Sequence, residues 1–358
     1  MAGNQHCSCF LLGEWMKGKV IGSGSFGTVH LAMNKASGSL FVVKSAESVA
    51  GIRALKNEAD ILESLNSPYI IRCLGRSLSN KHNGEGTLDV FMEYMAGGSL
   101  SDVAEKFGGA LDSEVIRLYT REILHGLKYL HENGIVHCDL KCKNVLLGSD
   151  GNIKLADFGC SKKLNDRKFS NRESIHSWNS IGGTPLWMAP EALRNEGLDF
   201  ASDIWSLGCL VIEMATGIPP WNGLNVSNPM AAVLKIACGN EKPQLPKGFS
   251  QEGLDFLEKC LERNPEQRWT AEELLNHPYI SGKFPMNSRK ECASSPSSIL
   301  DFRIHEGGYD SDDSRDEFPG RNPFSTRCFE EKNRMVETEE VENDFESSDD
   351  WITVRSIY

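Results

Sequence analysis

No apolar run in this chain nears the ~20 residues that span a bilayer, and no charged-then-apolar leader marks a secretory signal. Basic residues are in deficit, with 38 Lys and Arg against 50 Asp and Glu and a formal net charge of −12. That sign argues against direct binding to nucleic acid or to an anionic membrane. The eleven cysteines are an odd count without paired spacing, which argues against a disulfide framework. A reducing intracellular compartment, cytoplasmic and/or nuclear, is the expectation. In Met1-Ala2-Gly3 the glycine sits one place too late for myristoylation, and Cys7 and Cys9 are read as part of a disordered leader rather than as palmitoylation or metal sites. The G-x-x-x-x-G-K-[ST] loop of nucleotide-hydrolysing switches is also missing, as is any internal repeat.

What the chain does have is a run of chemistry at His137-Cys138-Asp139-Leu140-Lys141-Cys142-Lys143-Asn144, followed by Asp157-Phe158-Gly159. The pattern reads H-x-D-L-K-x-x-N and then D-F-G, a loop and turn suited to phosphoryl transfer. Such transfer needs a carboxylate to orient and accept the proton of an attacking hydroxyl, and Asp139 fits. Oxygen ligands for Mg²⁺ come from Asn144 and Asp157, and Lys141 places a cation near the transferred group. Upstream, Val20 to Val29 spells G-x-G-x-x-G-x-V, whose glycines let backbone N–H groups approach phosphate oxygens. Strand-like stretches around a turn at Ser37-Gly38-Ser39 follow it instead of a helix, favouring a loop arched over phosphates within a hairpin. Lys44 ends one of those strands. Its candidate partner Glu58 lies on a segment with Ile52, Leu55, Ala59, Leu62 and Leu65 at helical spacing, expected to stop near Asn66.

Downstream come Gly182-Gly183-Thr184-Pro185-Leu186-Trp187-Met188-Ala189-Pro190-Glu191, then Ser202-Asp203-Ile204-Trp205-Ser206-Leu207-Gly208, then Asn264-Pro265-Glu266-Gln267-Arg268-Trp269. With these in place the chain resembles a eukaryotic protein kinase from about Trp15 to Ile280. The resemblance implies an α+β bilobal fold, ATP and Mg²⁺ as cofactors, Lys44 gripping phosphates while Glu58 holds it, Glu191 paired with Arg268, and Asp203 tying the catalytic loop to a buried helix. Lys141 and Thr184 match the serine/threonine type. Glu93-Tyr94-Met95-Ala96-Gly97-Gly98-Ser99-Leu100 and the G-T-P-x-W-M-A-P-E run resemble the plant MEKK-like MAP kinase kinase kinases. That likeness implies MAP kinase kinases as substrates, in a stress or hormone signalling cascade. A serine/threonine kinase of another branch, or a pseudokinase scaffold, is the alternative; scaffolds generally lose the residues at Lys44, Asp139 or Asp157.

By the same resemblance, nucleotide contacts are expected from Ile21, Gly22, Ser23, Gly24, Ser25, Phe26, Gly27, Thr28 and Val29 of the loop. Val42, Lys44, Met92 as gatekeeper, the backbone of Glu93 and Met95, and Leu146 complete the set. Two positions depart from the family pattern. Val42 stands where alanine is common, narrowing the space above adenine. Cys138 stands where most members have an arginine that reads an activation-segment phosphate. Phosphorylation there is therefore expected to be dispensable or read by other residues, with Ser170, Ser174, Ser177, Ser180 and Thr184 as acceptors beside Arg167, Lys168 and Arg172.

Composition divides the chain into a polar leader, residues 1–13, a kinase domain, residues 14–280, and an acidic tail, residues 281–358. Within the domain a strand-rich lobe with one helix is expected over 14–93 and a mainly helical lobe over 94–280. In the latter, a helix capped by Asp112 carries Val115, Tyr119, Ile123, Leu127 and Leu130 and ends near Gly134. Phe200 to Thr216, apolar nearly all round, is expected at the buried centre. Leu254 to Arg263 and Thr270 to His277 read as shorter helices. The tail holds 18 Asp and Glu against 10 Lys and Arg, a composition that suits disorder. Phe345, Trp351, Ile352, Val354, Ile357 and Tyr358 at its end are expected to dock a regulator or fold back on the kinase.

Overall fold

In a computed structural model of the chain, residues 14–24, 27–80, 86–164, 184–221 and 229–282 are described. The leader, Ser25 and Phe26 of the glycine loop, the serines at 170–180 and the acidic tail lie outside them.

Alternation along one strand sets the position of the key lysine. Strands β1 (Trp15–Gly24), β2 (Gly27–Asn34), β3 (Leu40–Ala46), β4 (Cys73–Asn80) and β5 (Gly86–Glu93) form an antiparallel sheet in the order β1-β2-β3-β5-β4. On β3, Phe41 and Val43 point to the face where Phe91, Ala32 and Trp15 form a small cluster, with the three aromatic rings edge-on at 5.6–6.1 Å. A period of two then sends Val42, Lys44 and Ala46 to the opposite face, toward the main core. Over that face lies α1 (Val49–Leu62), capped by Ser48, whose hydroxyl accepts from Gly51 N at 3.1 Å. The helix ends at Leu62 rather than near Asn66. Ser64 turns its hydroxyl back on Ile61 O at 2.7 Å, and Leu65 packs on the core from beyond the helix.

Below the sheet, β6 (Gly98–Ser99) leads into α2 (Leu100–Lys106), and α3 (Ser113–Glu132) follows. Asp112 caps α3 as expected, but the buried stripe at its start runs through Ile116 and Thr120; Val115 and Tyr119 are only half-buried. Short strands β7 (Ile135–Val136), β8 (Val145–Leu147), β9 (Ile153–Leu155) and β10 (Lys162–Lys163) carry the loop between them. After α4 (Pro190–Leu193), α5 (Phe200–Thr216) matches its expected span and is buried on nearly every side; it ends where Gly217 takes a φ of 70°. Among the described residues there follow α6 (Pro229–Cys238), α7 (Gln251–Cys260), α8 (Ala271–Leu275) and α9 (Pro278–Ser281). Helix α7 starts three residues before Leu254, because Ser250 accepts from Gly253 N and caps it there. Thr270 is the cap of α8, closing a capping box with Glu273, so the helix proper begins at Ala271. The sequence pattern names no helix at α2, α4, α6 or α9. The Ser99–Asp102 capping box of α2 is a signal that was there to be read.

Candidate active site

Lys44 on β3 is almost fully buried, and its ammonium meets Glu58 Oε2 and Asp157 Oδ1, each at 2.8 Å. One cation therefore joins the strand, α1 and the turn after β9. Burial raises the Glu58 pKa above the ordinary carboxylate range even with Lys44 beside it. Burial also pushes Asp157 upward, but Lys44, by charge and hydrogen bond, outweighs it and the net shift is downward. The turn itself is wound tightly. Asp157 has a φ of 61°, Phe158 is fully buried against the edge of His137 at 4.9 Å, and Phe158 N donates to Glu58 Oε1 at 3.3 Å. A left-handed aspartate costs backbone energy that these surrounding contacts must hold in place.

Asp139 lies at the centre of a second network. Its Oδ2 accepts from Lys141 Nζ at 2.9 Å and Asn144 Nδ2 at 3.0 Å, while Oδ1 accepts from the Thr184 hydroxyl at 3.0 Å. Lys141 Nζ also donates to Thr184 Oγ1 at 2.7 Å, closing a triangle between the loop and the segment leading to α4. His137 supports it from behind: Nδ1 accepts from Asp139 N at 3.3 Å and Nε2 faces Ala156 O at 3.1 Å, a pair of contacts that the Nε2–H tautomer satisfies.

Beneath both networks, Asp203 of α5 accepts from His137 N at 2.9 Å, Cys138 N at 3.0 Å and the His131 ring at 3.0 Å. Burial pushes its pKa up, yet the hydrogen bond and charge of His131 and the amide of His137 bring it below the ordinary aspartate value. Its contribution to stability is present above the unfolded-state pKa of about 4 and drains away as pH falls below that value. Asp203→Asn is expected to cost about 3 kcal/mol at pH 7 through loss of charge-assisted bonds. The cost should shrink as pH falls from 5 toward 3, as read by urea midpoints; a pH-independent difference would contradict the assignment.

The donor set suits magnesium held jointly with a nucleotide. Asn144 commits Nδ2 to Asp139 O at 2.7 Å and to its carboxylate, so its amide oxygen would be the atom to hold a metal, together with the Asp157 carboxylate that also meets Lys44. Among the described residues no cluster of three His, Cys, Asp or Glu side chains forms a cage. A hard cation kept by two protein oxygens and phosphates fits that pattern. For the base, Ile21, Val42, Met92 and Met95 are buried in one apolar cluster, with Val29 and Leu146 packed on it. Glu93 N donates to Arg72 O at 3.1 Å, and its side chain pairs with Lys154 at 2.7 Å. Gly22 is buried, while Ser23, Gly24, Gly27 and Thr28 line the strand ends at lesser burial. Gly27 is held at a φ of 143°, where a Cβ would lie 2.4 Å from Ser45 O.

One residue escaped sequence reading. Glu213 of α5 accepts from Cys142 N at 3.0 Å and Trp187 Nε1 at 2.9 Å, joining the loop to the segment before α4; burial raises its pKa. A glutamate in an apolar helix was the available signal. The expected Glu191–Arg268 pair is present, bidentate at 2.7 and 3.1 Å and buried.

A five-stranded lobe with one bridging helix, a helical lobe built on a buried central helix, and a Lys–Glu–Asp triad facing an Asp–Lys–Asn loop together define a protein kinase. Residues 15–280 match the protein kinase domain, and the chain belongs to that family. It is similar to "Mitogen-activated protein kinase kinase kinase 18" of Arabidopsis thaliana, 42% identical over 293 residues that cover 80% of this chain and 84% of that one. "Mitogen-activated protein kinase kinase kinase 17" of the same plant is 41% identical over 292 residues, 80% of this chain and 76% of the relative. "Mitogen-activated protein kinase kinase kinase A" of Dictyostelium discoideum is 41% identical over 276 residues, 75% of this chain but 28% of that protein.

Proposed function

We propose that the chain is a serine/threonine-specific kinase acting as a MAP kinase kinase kinase, with ATP as phosphoryl donor and MAP kinase kinases as acceptors. The observation that carries the reading is the Asp139–Lys141–Thr184 triangle, in which a carboxylate, an ammonium and a hydroxyl converge within 3.0 Å. There Asp139 orients the acceptor hydroxyl and takes its proton, and Lys141 steadies charge on the transferred group. Lys44, held by Glu58, grips the donor phosphates, and Asn144 with Asp157 would hold Mg²⁺. When bound, the metal neutralises charge on the phosphates. Ile21, Val29, Val42, Met92 and Leu146 enclose the base, with the backbone of Glu93 and Met95 along its edge. The acceptor class rests on the names of the relatives together with the motif texture. A cytoplasmic or nuclear site, and regulator binding by the tail through Trp351 and its apolar neighbours, complete the proposal.

The full chain incubated with labelled ATP and a panel of kinase-dead MAP kinase kinases should label at least one member on serine or threonine and none on tyrosine. Label confined to unrelated serine/threonine substrates would point to another branch. Nucleotide binding without any transfer would point to a scaffold.

A further inference from the structure

The sequence places cysteines beside each of the two acidic motifs, Cys138 before Asp139 and Cys160 after Gly159, and the fold pairs the strands next to them. Strands β7 and β10 are antiparallel with Val136 opposite Lys162 and Ile135 opposite Lys163. The zipper extends at both ends of this pair. Leu164 N donates to Gly134 O at 2.8 Å, and one step the other way Ser161 Oγ donates to His137 O at 2.9 Å. Beyond the ladder, Cys160 closes the turn Phe158–Cys160 and Cys138 takes a left-handed conformation, and the two sulfurs are near enough to interact electrostatically.

Both side chains are half-buried, neither sealed in the core nor fully in solvent. Cys138 is held at a φ of 69°, anchored through its amide to Asp203, with its thiol donating to Val136 O at 3.4 Å. On the facing strand Asn57 of α1 donates to Ser161 O at 3.0 Å, so the segment bearing Cys160 is tied to the helix that carries Glu58. Neither sulfur takes part in the phosphate or metal chemistry described above.

We propose that Cys138 and Cys160 form a two-thiol oxidation site at which hydrogen peroxide makes a reversible disulfide between the catalytic loop and the metal-binding turn. Cys160 sulfur attacks peroxide: an S–O bond forms, the O–O bond breaks, and one water leaves with the sulfenic acid on Cys160. Cys138 sulfur then attacks the Cys160 sulfur; an S–S bond forms, the S–O bond breaks, and the departing hydroxide leaves as water with the Cys138 proton. Two thiols and one peroxide become one disulfide and two waters. The first attack is assigned to Cys160 because burial and the Asp203 carboxylate disfavour the thiolate at Cys138; the second attack still passes through that thiolate.

Bridging draws Cys138 off Val136 O and pulls on a segment three residues from Asp157. The disulfide is therefore inhibitory, because the Lys44–Asp157 contact and the Asp139 network depend on that register. The missing arginine of the family pattern is replaced, on this reading, by a redox contact in the same place.

The test treats the full chain with peroxide and follows two readouts, peptide mass and kinase activity. A peptide pair linked through Cys138 and Cys160, two hydrogens lighter than its parts and released by dithiothreitol, is expected to accumulate in step with at least fivefold inhibition. Reduction should restore activity. Cys160→Ser and Cys138→Ser, each compared with its own untreated rate, should lose no more than twofold. Inactivation without the linked peptide, a linked peptide without inhibition, or unchanged sensitivity in Cys160→Ser would each overturn the proposal. The peptide readout stands apart from any kinase assignment, so a chain that links its thiols but transfers no phosphate would count against the proposed function and not against the site.

Discussion

Asp139→Ala is expected to lower kcat toward a protein substrate by roughly 10³-fold, within the range for removing a positioned proton acceptor. The KM for ATP should move little, because Asp139 faces the acceptor side, bonded to Thr184 and Lys141 rather than to the Lys44 triad. Part of the loss comes from the neighbours. Without the carboxylate, Lys141 Nζ keeps only Thr184 among its bonds in the triangle, and Asn144 Nδ2 keeps only the Asp139 carbonyl. Asp139→Asn separates these effects: it retains the shape and an acceptor oxygen but cannot take a proton, so its kcat should fall nearly as far. If either variant transfers phosphate within tenfold of the parent, the base lies elsewhere and the triangle is structural.

Lys44→Met is the second large effect, and its signature lies in stability as well as rate. Phosphoryl transfer should drop at least about 10²-fold, the scale for losing one preorganised electrostatic contact. The same change leaves Glu58 and Asp157 facing each other in a buried site with the shared cation gone. Breaking a buried pair by removing one partner costs about 3–5 kcal/mol, since the remaining charge is left uncompensated. The variant relieves this by binding a proton, because burial and a like charge both raise a carboxyl pKa. A folded-state pKa raised above the unfolded value gives stability present at low pH and lost as pH rises. The deficit of Lys44→Met against the parent is therefore expected to grow from pH 5 to pH 8. Adding Glu58→Gln should recover part of the stability and none of the activity. A deficit that is flat with pH, or under about 1 kcal/mol, would mean that the three groups do not act as one unit.

Much of the site could be read in advance because kinase chemistry is written in short local stretches. His137 to Asn144, Asp157 to Gly159 and the glycine loop each sit within ten residues; the structure keeps the first two as local turns, and the described flanks of the third are strand ends. Element ends were less legible. Helix α1 stopped short of Asn66 because a serine hydroxyl competed for its last carbonyls, and α7 began early because Ser250 captured an amide. Such contests are decided by side-chain oxygens a few residues away, which hydrophobic spacing does not register.

By itself the sequence determined the family, the order of the motifs, the burial of α5 and the residue types that phosphoryl transfer needs, since these follow from composition and local pattern. Beyond the Lys44–Glu58 and Glu191–Arg268 pairs and the Asp203 tie that the resemblance implied, tertiary structure decided which atoms share a cation, a carboxylate or a register. Lys44 meets Asp157 across 113 positions of chain, Asp203 gathers three partners from two separate segments, Glu213 joins the loop to Trp187, and Lys162 comes opposite Val136. These pairings arise from packing distant elements on one core, and no local period in the chain encodes them.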